Sequence, residues 1–477
     1  MKNVFLKNIV FNSIFIVFVL RILSFVLLEP YIGIADNGDF QRLMQPVGVT
    51  YSKNPWSQEN REEYFFNFIT NDYIIDEPID NGWHQIFSVI PQLAVGLSKI
   101  NGSRSLDIRV IGTINAFFYF LAVYFLFWHI KHIRGIYSYV LLGIFAIILS
   151  DSTIIQYFNS FYTEIGAVTG ILMLWSSLIF SFVYIKGRGT GIKIVCIVLD
   201  SCIAFMAILA KQQDILLLIP IVIVFWILLD RFEAKTFIKI IWSVVFISAV
   251  IIIFAKNEAG GNITTFNVIN KEFLAESKNP QKHLAKMGLG DRDIELIIET
   301  IGKTAFEDKA SDIWIEYGSY FTRMNECMIL VREPSIFIKQ LVTRSESLFK
   351  DMDYGNYLIN SGAKPREKTK VNRLWYNIKQ YLYKSDFFFY IMVIFISLGM
   401  VCYCVKNKYI ISKISKDILM VFVLLPVGNL LRFISVILGD ANEDIKHFFT
   451  VNFEFDFIYV INMCLIIYII CSTKKKL

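Results

Sequence analysis

The sequence predicts an all-α polytopic membrane protein with about ten transmembrane helices and a mainly helical extracytoplasmic domain. Three observations carry that reading. Of 477 residues, 55% are hydrophobic and only 18% charged, against about 25% charged in a soluble globular chain. Mean hydropathy is +0.52. Several uninterrupted apolar runs reach the roughly 18 residues that a bilayer-crossing helix needs. The net charge of +6 is not a nucleic-acid footprint, because the excess Lys and Arg fall in short loops between the runs.

The first run, at about 8–28, follows a basic N-terminus. It is too long for a signal peptide and no small-residue cleavage site follows, so it reads as a helix. A polar segment occupies about 29–108. Spans two to seven follow at about 109–130, 137–150, 164–185, 193–210, 214–229 and 240–255, the third being short. A second polar segment covers about 256–385, and the last three spans lie at about 386–405, 417–438 and 453–471. Three blocks result: a transmembrane module over 1–255 with a large first outer loop at 29–108, an extracytoplasmic domain over 256–385, and C-terminal transmembrane helices over 386–477. Stretches near 39–43 and 85–100 are amphipathic and suit an interface. Stretches 291–307 and 334–349 show the three- and four-residue apolar spacing of helices.

Basic residues set the orientation. With the N-terminus inside, the inner segments hold Lys2 and Lys7; Lys131 and Arg134; Lys186, Arg188 and Lys193; Arg231, Lys235 and Lys239; Lys406, Lys408, Lys413 and Lys416; and Lys474, Lys475 and Lys476. The short outer loops, 151–163, 211–213 and 439–452, hold only Lys211 and Lys446. Both termini are therefore expected in the cytoplasm, and both long polar segments outside. Of seven cysteines, all but Cys327 fall in or beside spans, which leaves no outer disulfide framework.

The polar clusters fall on the outer side. Ala35-Asp36-Asn37-Gly38-Asp39-Phe40 directly follows span one. Asn81-Gly82-Trp83-His84 shares that loop. Asn159-Ser160-Phe161-Tyr162-Thr163-Glu164 links spans three and four, Lys211-Gln212-Gln213-Asp214 links five and six, and Lys446-His447 precedes span ten. Each has a plainer reading. Asp36 and Asp39 make an Asx-turn and helix cap as readily as a general base or a ligand pair for a divalent cation, Mg or Mn. Glu164 can cap span four, and Lys211 can snorkel. His84 can be a surface histidine. An outer-face active site accounts for all the clusters together.

Two arginines lie inside apolar runs, Arg21 and Arg432. Intramembrane arginines are costly and face a partner or a cavity. Arg21 could pair with Asp200 of span five. Alternatively one or both, with Lys211, hold a phosphate just below the outer surface, an anion that Arg and Lys suit.

Acids in the first outer loop, many spans and a polar outer domain before the last spans together resemble GT-C-type glycosyltransferases, so the expected fold is a GT-C-like bundle. The stretches Ala35–Phe40, Asn159–Glu164 and Lys446-His447 are most similar to bacterial WsfD-like hexosyltransferases. That resemblance implies a bacterial plasma-membrane enzyme with an extracytoplasmic site. It would move a hexose from a polyprenyl-phosphate carrier to a cell-envelope glycan or polymer. It also implies an acidic base in the first outer loop, which carries onto Asp36 or Asp39; Asp39 is favoured because Asp36 is the better turn-former. The acids are two residues apart, not one as in a DxD metal motif, so no cofactor is assigned. Glu164, Gln212, Gln213 and Trp83 would shape the sugar pocket, with His84, Lys446 and His447 also binding substrate. Lys211, Arg21 or Arg432 would neutralise the leaving phosphate, and the spans would groove the lipid tail. The alternatives are a polymerase or ligase using a lipid diphosphate-linked oligosaccharide, and a lipid-linked-sugar transporter. A transporter would want mid-membrane polar residues and repeated halves, which the sequence does not show.

Overall fold

The computed structural model describes residues 2–58, 60–71, 73–80, 88–133, 136–185, 187–256, 261–383, 387–406 and 416–474. Each of the ten apolar runs is helical. Numbered among themselves they are α1 (Lys2–Leu27), α2 (Ile108–Lys131), α3 (Tyr137–Leu149), α4 (Glu164–Tyr184), α5 (Thr190–Leu209), α6 (Leu218–Arg231), α7 (Thr236–Lys256), α8 (Phe387–Lys406), α9 (Lys416–Gly439) and α10 (Asp444–Lys474). Seven helices among the described residues are long and apolar enough to cross a membrane, or eight if α8 is counted with the helix before it. The chain is an all-α polytopic membrane protein. Helix α3 has only 13 residues, about 20 Å at 1.5 Å per residue, against a hydrocarbon core of about 30 Å.

The chain divides into two compact units. One comprises Met1–Gln212, Ile221–Val250 and Asp351–Leu382; the other comprises Gln213–Pro220, Ile251–Lys350 and Tyr383–Leu477. The second polar segment, read from sequence as one block over 256–385, is therefore shared between the units.

In the first unit α2 packs on α4, α4 on α5, and α1 on α2 and α3. Phe11, Phe15 and Phe18 of α1 interleave with Tyr119, Tyr124 and Phe127 of α2, the Phe15 and Tyr124 rings 5.3 Å apart and edge to face. Such pairs add about 0.5–1.5 kcal/mol to the apolar burial. Gly112 lets α1, α2 and the α3–α4 loop meet. A Cβ there would lie 1.9 Å from Asn159 Oδ1 and 2.9 Å from Val26 Cγ1. Helix α2 begins at Asp107, whose carboxylate accepts from the Arg109 N–H at 2.9 Å, the usual N-cap bond.

The polar segment after α1 adds a small antiparallel sheet, β1 (Val49–Tyr51), β2 (Tyr73–Ile75) and β3 (Ser105–Leu106), in that order. Tyr51 stands opposite Tyr73 in the register, and their rings are 5.4 Å apart. The chain between α1 and this sheet is extended. The Gly33 and Ala35 N–H groups donate to the carbonyls of Asn356 and Gly355, at 3.1 and 2.9 Å. A Cβ on Gly355 would sit 1.7 Å from the Asn67 carbonyl oxygen, so only glycine lets the two backbones come this close.

In the second unit α8, α9 and α10 pack mutually. Short helices over 261–345 bury Phe266, Ile269, Phe273, Leu284, Ile297 and Ile329. The helix expected over 291–307 runs from Asp291 to Ile298. Gly302 follows in the left-handed region at φ +89°, where the chain turns away. Two arginines satisfy the carbonyls that the end of α9 leaves open. Arg344 donates to Ile437 O at 2.6 Å and pairs with Asp444, and Arg323 donates to Gly439 O at 3.0 Å.

Candidate active site

The acidic turn is built by its own backbone. Asp36 Oδ1 accepts from the Gly38 N–H at 2.8 Å and the Phe40 N–H at 3.0 Å, an Asx-turn. Gly38 supplies the left-handed φ of +103° that closes it. Asp36 Oδ2 accepts from the Tyr51 hydroxyl at 2.6 Å, and the residue is 2% exposed. Burial pushes the Asp36 carboxyl up to about 6. Hydrogen bonds from Tyr51, Phe40 and Gly38 oppose that rise and the charge of Asp39 adds to it. Burial likewise pushes the Tyr51 phenol up, with Asp36 beside it reinforcing the shift.

Asp39 is placed differently. Its side chain is 21% exposed and its Oδ1 lies 2.9 Å from the Arg42 guanidinium. The Asn37 amide donates to Oδ2 at 3.4 Å. Trp56 stands over the turn: a Cβ on Gly38 would touch its ring at 3.4 Å. The indole packs on Phe65, centroids 4.7 Å apart, yet is 56% exposed. A carboxylate within reach of solvent, an adjacent guanidinium and an open aromatic face thus share one turn.

The α3–α4 loop clamps this turn. The Asn37 N–H donates to the Tyr162 hydroxyl at 3.0 Å, and that hydroxyl is 2.8 Å from Asn37 Oδ1 and 3.2 Å from Ala35 O. The Tyr162 ring meets Phe40 edge to face at 4.7 Å. Asn159 donates to Val26 O at 3.0 Å and Ile32 O at 2.8 Å, tying the loop to the end of α1. Two of the stretches singled out in the sequence, 35–40 and 159–164, therefore form one structure. At the loop's end Glu164 opens α4 and pairs with Lys211, Oε1 to Nζ 2.9 Å, both side chains under a tenth exposed. Glu164 and Lys211 are thus each other's partners.

Arg21 donates to Asn372 Oδ1. The pairing with Asp200 is not formed; Asp200 accepts from the Ser181 hydroxyl at 2.6 Å. Trp83 and His84 lie outside the described residues, as does the side chain of Gln212. Nothing in the local sequence marks Tyr51, Trp56 or Arg42, whose roles arise from tertiary placement. Tyr162 was visible only as part of its motif.

The remaining candidates belong to the second unit. Arg432 is fully buried, its Nε 2.6 Å from Asp214 Oδ1, with Glu454 against Nη1. This departs from the sequence reading that gives Arg432 to a carrier phosphate. An arginine enclosed by two carboxylates within an apolar helix is already neutralised, and a phosphate would have to displace one of them. Gln213 Nε2 is 2.6 Å from His447 Nδ1, and His447 Nε2 is 3.7 Å from Asp440. Burial raises the Asp440 carboxyl, but His447 and the Asn442 N–H more than offset it and hold it below the usual range. Lys446 pairs with Glu443 at 3.3 Å.

Among the described residues no group of three or more His, Cys, Asp or Glu side chains converges as a metal site. The acidic turn does not fit a divalent cation as built: both Asp36 oxygens are engaged by hydrogen-bond donors, and Asp39 faces a guanidinium.

A family model described as the YfdI N-terminal transmembrane domain matches residues 1–477. No curated protein and no solved structure matches the chain.

Proposed function

The chain belongs to the family of the YfdI N-terminal transmembrane domain, and from that premise we propose that it is a membrane glycosyltransferase. YfdI is a GT-C-like membrane glycosyltransferase. In this reading the chain moves a hexose from a polyprenyl-phosphate carrier to a glycan or polymer acceptor, as a WsfD-like hexosyltransferase. The acidic turn lies on the extracytoplasmic face and both termini lie in the cytoplasm.

The observation that supports this best is the division of labour between two acids in one turn. Asp36 is sealed and holds the backbone. Asp39 is partly open beside Arg42 and Trp56. Asp39 takes the proton of the acceptor hydroxyl as the oxygen attacks the anomeric carbon. The carbon–oxygen bond to the carrier phosphate breaks, and the phosphate leaves as an anion that needs neutralising charge rather than a proton donor. In this reading Arg42, 2.9 Å from Asp39, supplies that charge, with Arg21 as a further cation. The open face of Trp56 gives the sugar an apolar wall.

The test is sugar transfer by purified protein supplied with polyprenyl-phosphate hexoses. Asp39→Asn keeps the turn's shape and removes the base, so folded yield stays near normal and the rate falls about 10²–10⁴-fold. Near-wild-type turnover in both Asp36→Asn and Asp39→Asn would sink the assignment of the base to this turn.

A further inference from the structure

We propose that the helix Leu374–Leu382, with the basic stretch leading into it, rests on the anionic headgroup layer of the bilayer. This stands apart from the glycosyltransferase reading and concerns a surface that reading does not use.

The helix presents three faces at about 100° per residue. Leu374, Ile378, Tyr381 and Leu382 share one arc and are 51, 38, 80 and 43% exposed, and Val371, just before the helix, is 62% exposed. The next arc is turned into the protein: Trp375 is 8% and Lys379 only 5% exposed, with the Lys379 charge acting on Asp151. The third arc carries Asn377 and Gln380, both exposed. A helix that buries a lysine while presenting four apolar side chains is the reverse of what water selects. An arrangement with an apolar arc, a protein-facing arc and a polar arc is what a helix lying in an interface requires.

Its height relative to the spans is fixed by contacts within the first unit. The helix packs on α3. The Tyr376 N–H donates to Asp151 Oδ2 at 3.1 Å, and the Ser152 N–H donates to Asn372 O at 2.8 Å. Residues 150–152 are where the apolar run of α3 stops, so the helix sits level with the end of that short apolar helix.

Charge identifies the partner. Positions 364–379 hold six basic residues and one acidic residue. Lys368 and Arg373 are engaged by Asp351 at 3.0 and 2.8 Å, Arg366 by Asp353 at 3.0 Å, and Lys379 is buried, while Lys364 and Lys370 are exposed at the surface. Lys364 and Lys370, exposed beside an apolar helical face, suit a layer of anionic headgroups, each contributing about 1 kcal/mol near such a surface.

The experiment uses the unmodified protein in nanodiscs containing photoactivatable phosphatidylglycerol, with adducts mapped by mass spectrometry. Lipid adducts are expected on the 371–382 peptide at Val371, Leu374, Ile378 or Tyr381, while Asn377 and Gln380 take an aqueous carbene label. Replacing phosphatidylglycerol by phosphatidylcholine carrying the same group, or introducing Lys364→Gln with Lys370→Gln, should cut the yield severalfold. Three results would overturn the proposal. One is a 371–382 peptide without lipid adducts while the spans are labelled. Another is lipid labelling of Asn377 and Gln380 as strong as that of Tyr381. The third is equal yield with the two lipids.

Discussion

The Tyr51 hydroxyl donates to Asp36 Oδ2 at 2.6 Å, and Tyr51 is held in place by Tyr73, its partner in the β1–β2 register. The short strands of the first polar segment thus help to shape the turn that carries Asp39. Tyr51→Phe removes the donor and leaves one oxygen of a buried carboxylate short of a partner. A hydrogen bond to a charged group is worth about 1.5–3 kcal/mol. Thermal unfolding in detergent should report a loss of that size. Turnover should fall as well, because the turn loosens; an unchanged melting temperature would show that Asp36 does not depend on Tyr51.

The same carboxylate gives stability a pH dependence of definite sign. The Asp36 carboxyl is raised from 3.8 to about 6 in the folded protein, so between those values the folded state holds a proton that the unfolded state has released. This contribution is fully present below pH 3.8 and is lost as pH rises through about 6. Two pH units correspond to on the order of 3 kcal/mol as an upper limit. Wild type and Asp36→Asn should therefore diverge in slope between pH 4 and 6, wild type losing stability with rising pH relative to the variant, and run parallel above about pH 7. Parallel curves throughout would contradict the raised carboxyl.

Gly112→Ala places a methyl group 1.9 Å from Asn159 Oδ1. The neighbouring helices must separate or Asn159 must leave its two carbonyl acceptors, Val26 and Ile32. Overpacking of this kind costs about 1–3 kcal/mol. The expected outcome is a lowered melting temperature together with reduced transfer, since Asn159 anchors the loop that carries Tyr162. Ala at Gly143, whose Cβ would meet nothing within 4 Å, serves as the control and should be near neutral.

Arg432→Gln should act on folding rather than on donor affinity. Breaking a buried ion pair by removing one partner costs about 3–5 kcal/mol, here leaving Asp214 and Glu454 without their guanidinium. Less folded protein should be recovered, and the fraction that folds should show a donor KM close to wild type. A well-folded variant with a large KM increase would return Arg432 to the phosphate site.

Much of the architecture was legible because membrane spans declare themselves through uninterrupted apolar runs, and all ten runs are helices. The Asp36–Gly38 bond was legible too, because an Asx-turn is a matter of two-residue spacing. Other features depend on distance along the chain. Arg432 and Asp214 are 218 residues apart, and nothing local to either marks the other as its partner. Trp56 reaches the turn through a packing arrangement that spacing cannot express. The break at residue 350 was hidden because 351–382 has the same polar composition as the stretch before it, while its contacts belong to the first unit.

That last feature bears on the order in which the protein is made. The extended backbone at Gly33 and Ala35 is bonded to Asn356 and Gly355, and Asn372 bonds to Arg21 and to the loop at Ser152. A nascent chain can insert its early spans long before these partners emerge from the ribosome. The acidic turn then waits, with its neighbouring backbone unpaired, until more than 350 residues have been synthesised. A fragment ending at residue 350 would therefore be a membrane-inserted protein with an unfinished turn. Supplying 351–382 as a separate peptide would ask whether that strap alone completes it.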